Sequence, residues 1–129
     1  MCIRDSVGTR TFFQQQPELT ENIMKGLIES VAFILAPQNK PTVMNTIMKR
    51  LKISDRSVAE QGYQDLVQIS DLRPYVSLEG LRNIQRLIKI QNPPIGNVKL
   101  EELLDNRPLK KLEDSGFLQK TYAAYGVVR

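Results

Sequence analysis

The sequence has no histidine, no tryptophan and only one cysteine, Cys2. Without imidazole it lacks the commonest general base and the commonest metal ligand, and a lone thiol can neither close an internal disulfide nor build a thiolate metal site. Most catalytic constellations are thereby excluded, and no cofactor is expected. The 7 glycines stand singly, so no Gly-rich loop of the Walker or dinucleotide type is present. Serine and threonine occur with neither histidine nor a Ser-x-x-Lys pattern to activate them. The longest apolar stretch, Val31 to Ala36, falls far short of the roughly 18 residues of a membrane span and continues an amphipathic pattern. Sustained period-two alternation is also missing, which confines any strand to Val7 or to the Gly126-Val127-Val128 end.

What remains has the composition of an average globular domain: 129 residues, 41% hydrophobic and 25% charged. Lysine and arginine total 18 against 14 acidic residues, a net charge of +4 spread along the chain. Such a balance permits nucleic acid as a partner without requiring it. The first six residues, Met1 to Ser6, read as the in-frame translation of a common sequencing adapter and are set aside. The charge is unchanged without them, the only cysteine disappears, and the native polypeptide, residues 7–129, is expected to extend upstream of Val7.

Helix signals fill the rest. Thr9 or Thr11 can cap a short helix from Arg10 to Gln16, which Pro17 terminates. From Glu18 to about Ala36, Leu19, Ile23, Leu27 and Val31 recur every four positions, widened by Met24, Ile28 and Leu35, and predict a buried helix face. Pro37 stops that helix, and Pro41 opens another that ends near Lys52 with Lys49 and Arg50 at its carboxyl end. Ser54 or Asp55 caps a third through Ser70, with Val58, Ala59, Tyr63, Leu66 and Val67 inward. Ser77 caps a fourth to about Ile90, carrying Leu78, Leu81, Ile84, Leu87 and Ile88, before Asn92-Pro93-Pro94-Ile95-Gly96-Asn97 breaks it. Short helical pieces follow at Leu100 to Leu104, Pro108 to Asp114 and Gly116 to Tyr125, with Gly116 suited to a position just past a helix end.

Glu101-Glu102 and Glu113-Asp114 are sequence neighbours, about 100° apart on a helix, and read as solvated surface rather than a convergent acid/base pair. Tyr63, Tyr75, Tyr122 and Tyr125 read as packing residues. From Thr42 to Leu66 the pattern imitates helix-turn-helix, with Lys49, Arg50, Lys52 and Arg56 near the turn and Gln61 and Gln64 placed to reach base edges. Asp55, Glu60 and Asp65 on the same second helix would face phosphates, so a small DNA-binding regulator stands as the alternative and nucleic acid is not the expected partner.

Four segments carry a resemblance: Thr9-Arg10-Thr11-Phe12-Phe13, Gln16-Pro17-Glu18-Leu19, Tyr75-Val76-Ser77-Leu78-Glu79-Gly80-Leu81 and Leu112-Glu113-Asp114-Ser115-Gly116-Phe117-Leu118. In order and spacing the chain from about Val7 to Tyr125 resembles the nitrate, sulfonate, taurine and thiamine-precursor group of ABC-transporter substrate-binding proteins. Asp105-Asn106-Arg107-Pro108-Leu109 stands where that group has an Asp-x-Ser segment. The resemblance implies an α/β parent of periplasmic-binding-protein type II, with two lobes, of which this part is predominantly α-helical and belongs mostly to the first lobe. It implies a non-enzymatic, extracytoplasmic protein, periplasmic or lipid-anchored and monomeric at full length, that hands a small organic or anionic solute to a membrane permease. A pyrimidine-precursor synthase of related fold would need catalytic residues, histidines among them, upstream. Thr9 and Arg10, just after the expected hinge strand, are the implied ligand-binding positions. There a helix start offers backbone N–H groups and a hydroxyl to an anion.

Overall fold

Prolines and short polar caps cut the chain into helices. The computed structural model describes residues 8–127, in which α1 is Arg10–Gln15, α2 Pro17–Leu35, α3 Lys40–Leu51, α4 Arg56–Ile69, α5 Leu78–Ile88, α6 Arg107–Asp114 and α7 Phe117–Ala124. Tighter 3-10 turns occupy Pro37–Asn39, Pro93–Asn97 and Leu100–Glu102. The described residues contain no strand. The adapter-like segment, Cys2, and the strand positions Val7 and Val128 lie outside them.

Each helix start has a local cause. Thr9, not Thr11, caps α1, its Oγ1 accepting from the Phe12 N–H at 3.2 Å. Asp55, not Ser54, caps α4 by accepting from the Ser57 N–H at 2.8 Å, and Ser77 caps α5 by accepting from the Gly80 N–H at 2.8 Å. Pro17 and Pro41 sit in first turns, where a missing N–H costs nothing. Gly116, at φ +74°, supplies the left-handed turn between α6 and α7.

Two cores result. The larger joins α2, α6 and α7 through Ile28, Ala32, Leu35, Leu109, Leu112, Leu118 and Tyr122. The smaller joins α3 and α4 through Val43, Met44, Ala59 and Tyr63, whose hydroxyl donates to the Ile34 carbonyl at 3.1 Å and so ties this pair to α2. A third unit is open. α5 folds against the 3-10 turns that follow it, with Gln85 Nε2 donating to the carbonyls of Ile95 at 2.8 Å and Val98 at 2.9 Å, yet none of its residues is buried.

Two expectations need correcting. The buried line of α2 runs through Thr20, Ile28, Ala32 and Leu35, while Leu19 and Ile23 are 45% and 46% exposed. Val58 points outward, because Ala59 and Tyr63 already fill the contact with α3. Gly126 and Val127 form no strand: Gly126 turns at φ +69°, and the Val127 N–H donates to the Tyr122 carbonyl at 2.9 Å, folding the buried valine onto the larger core.

Candidate functional site

The outward edge of α2 is not bare. Ile23, Met24 and Leu27 form the floor of a half-open cleft of about 550 Å³. One wall is Gly8, Thr9 and the two phenylalanines of α1, and the other is Pro74 and Val76 with Asn106, Pro108 and Leu109. Phe12 and Phe13 meet edge to face, centroids 5.7 Å apart. Phe13 lies so close over the backbone of Gly8 that a Cβ there would stand 2.8 Å from Cζ, so any larger residue at that corner would push the ring aside.

Every polar side chain on the walls is engaged with its own chain. Thr9 holds the Phe12 N–H, and Thr20 donates through Oγ1 to the Gln16 carbonyl at 2.8 Å. The Asn106 amide grips the Val76 backbone. Asp105 accepts from Arg107 Nε at 2.8 Å and Nη2 at 2.7 Å, and these hydrogen bonds hold its carboxyl below the ordinary aspartate range.

Of the two positions singled out in sequence, Thr9 lines the cleft and Arg10 does not. The Arg10 guanidinium instead donates to the Glu102 carbonyl at 3.3 Å, holding α1 to the segment after α5. The second wall was not foreseen. It is built from two loops 30 residues apart in sequence, whose contact no periodicity encodes; Pro74, Asn106 and Pro108 were its only local signals.

A second, shallower depression of about 260 Å³ lies where α2 meets the α6–α7 turn. There Glu21 receives Lys111 and Lys25, each at 2.6 Å, with Lys120 beside them. Their hydrogen bonds lower the Glu21 carboxyl to about 2. It is an ion-pair cluster at the surface.

The remaining candidates are dispersed. Glu113 accepts from the Tyr75 hydroxyl at 2.5 Å, Asp114 pairs with Lys110, Glu101 with Arg82 and Glu102 with Lys99, so the neighbouring carboxylates do not converge. Gln61 and Gln64 donate to Asp65 and Glu60 on their own helix, and Glu60 also pairs with Lys40. Tyr63 and Tyr122 are core residues, and Tyr125 ties α7 to α2 by donating to Glu29 at 3.0 Å. Among the described residues no group of histidine, cysteine and carboxylate side chains could hold a metal ion, and no helix is long and apolar enough to cross a membrane. Compared with family models, curated proteins and solved structures, the chain matches none of them.

Proposed function

We propose that this chain is the helical part of the solute-binding component of an ABC importer, a two-lobed α/β protein that captures a small organic or anionic solute outside the cytoplasmic membrane and delivers it to the permease. The observation that carries the reading is α5. Ile84 and Leu87 on one side of this helix are 53% and 68% exposed, and no residue of α5 is buried. A helix whose isoleucine and leucine stay exposed on one side, with only short 3-10 turns packed against it, is what an outer layer presents once the sheet it covers is taken away.

The segments that carry the resemblance also do structural work. Thr9 caps α1, Ser77 caps the helix that begins Leu-Glu-Gly, and Gly116 turns α6 into α7. In such a protein the lobes close because the closed state binds solute more tightly than the open one, and the energy comes from that difference alone. Thr9, at the start of α1, is the position proposed to touch solute, through its hydroxyl and outside the apolar part of the cleft; Arg10 is assigned to holding α1 in place.

The test is the full reading frame. Cloned with its upstream sequence, the protein is expected to encode two α/β lobes and to show a saturable rise in Tm with taurine, an alkanesulfonate, nitrate or an aminopyrimidine. A frame without the second lobe, or a full-length protein that binds none of the four, defeats the proposal.

A further inference from the structure

The cleft beside Thr9 has chemistry of its own, and that chemistry is not suited to an anion. Among the described residues its lining contains no lysine and no arginine, and its one formal charge there, Asp105, is paired with Arg107. An anion entering would lose its water without gaining a free cation, because the guanidinium beside the cleft is already paired with Asp105. A polar neutral molecule finds few free partners, because the Thr20 hydroxyl and the Asn106 amide are bonded to backbone groups and the Thr9 oxygen already accepts from the Phe12 N–H. What the walls offer is apolar contact: the rings of Phe12 and Phe13, Ile23 and Leu27 on the floor, and the thioether of Met24, which adapts its shape to a guest.

Enclosure separates this site from the other apolar surface. The exposed face of α5 is a single helix side without walls, whereas the cleft is bounded on three sides by α1, by α2, and by the 74–76 loop paired with residues 105–109 leading into α6. Its volume of about 550 Å³ falls inside the roughly 300–1,000 Å³ range of small-molecule pockets. We infer that the cleft between α1, α2, the 74–76 loop and the start of α6 binds an uncharged, apolar small molecule, aromatic or alkyl, and selects against anions. Binding is a property of these helices alone, so the inference goes beyond the transport reading and does not depend on a permease or a second lobe.

The experiment titrates the full chain with the neutral fluorophore N-phenyl-1-naphthylamine and, in parallel, with its anionic relative 1-anilinonaphthalene-8-sulfonate. Saturable one-to-one binding of the neutral probe is expected, at least tenfold tighter than that of the sulfonate. Ile23→Asp on the floor and Phe13→Ser on the opposite wall each replace a part-exposed residue and should weaken the neutral probe at least tenfold with the helical circular dichroism unchanged. Leu87→Asp on α5 should leave its affinity unchanged. If Ile23→Asp unfolds the chain, Phe13→Ser decides. No saturation, equal affinity for both probes, or a loss in Leu87→Asp instead of the cleft variants overturns the inference. None of these outcomes bears on solute transport by the full-length protein, so the two readings fail separately.

Discussion

Asn106 grips the backbone of Val76 from both sides, accepting from its N–H at 3.1 Å and donating through Nδ2 to its carbonyl at 3.0 Å. A side-chain amide thereby completes the pairing a neighbouring strand would otherwise provide, and it fixes two loops 30 residues apart as one wall of the cleft. Asn106→Ala leaves a half-buried donor and acceptor without partners, at a cost of about 1–3 kcal/mol. Urea unfolding should show that loss, with Asn106→Asp no better than alanine near neutral pH because it presents an acceptor to the Val76 carbonyl. Wild-type stability in both variants would mean that the bridge does not form.

The difference between what was legible and what was not follows from the range of each signal. Helix limits were readable because their causes are local: Pro17, Pro37, Asp55, Ser77 and Gly116 each act within a few residues of themselves. Which side of α2 is buried was not readable. A step of four residues turns a helix through about 400°, so a four-residue repeat drifts by about 40° per step and cannot stay on one face. Leu19 and Ile23 therefore part from the line of Ile28 and Leu35, and Ile23 becomes part of the floor of the cleft. Within the site Thr9 was legible through its cap chemistry. The second wall depends on a pairing between distant loops, which sequence pattern does not record.

Glu21 gives the surface cluster a defined acid response. Hydrogen bonds from Lys111 and Lys25 lower its carboxyl to about 2, so the folded state holds the proton less readily than the unfolded chain. The stabilisation is complete above the ordinary glutamate range and disappears as pH falls from that range toward 2. Glu21→Gln should flatten this part of the acid-unfolding profile. Added salt should weaken the wild-type dependence, because the pair lies at the surface. An unchanged acid profile in Glu21→Gln would show that the cluster is not formed in solution.

Tyr122 is buried in the larger core, and its hydroxyl has no hydrogen-bond partner among the described residues. Burial, with a smaller contribution from the Asp71 charge, pushes its phenol up to about 12. Since the unfolded chain ionises first, stability should fall as pH rises above the ordinary tyrosine range toward 12. Tyr122→Phe removes both the unpaired group and the alkaline slope, and should be neutral to slightly stabilising at pH 7. A loss of more than about 1 kcal/mol on thermal unfolding would show that the hydroxyl makes a bond worth keeping.

Thr9 separates capping from binding. Thr9→Ala removes the acceptor for the Phe12 N–H and should cost about 0.5–2 kcal/mol, whereas Thr9→Ser keeps that acceptor and the stability. In the full-length protein the alanine variant should also weaken solute binding, measured calorimetrically, and the serine variant should not. An unchanged dissociation constant in Thr9→Ala would leave Thr9 as a cap and nothing more.

The exposed side of α5 makes the sharpest demand. Ile28 has no accessible surface and lies at the centre of the larger core, so Ile28→Ala should cost about 2–5 kcal/mol by opening a cavity. Leu87 is as apolar but 68% exposed, so Leu87→Lys should change the stability of this chain by no more than about 0.5 kcal/mol. Its effect should fall on association instead. Exposed leucine and isoleucine on one helix side drive contacts between copies, and a charge in their midst costs desolvation in every such contact. Sedimentation should therefore show less self-association for Leu87→Lys than for wild type. In the full-length protein, where the proposed sheet covers α5, the same lysine would be buried without a partner and should destabilise the fold by several kcal/mol, about the cost of an uncompensated buried charge. A variant equally harmless in both contexts would show that nothing covers this helix, and the transport reading would lose the observation on which it rests.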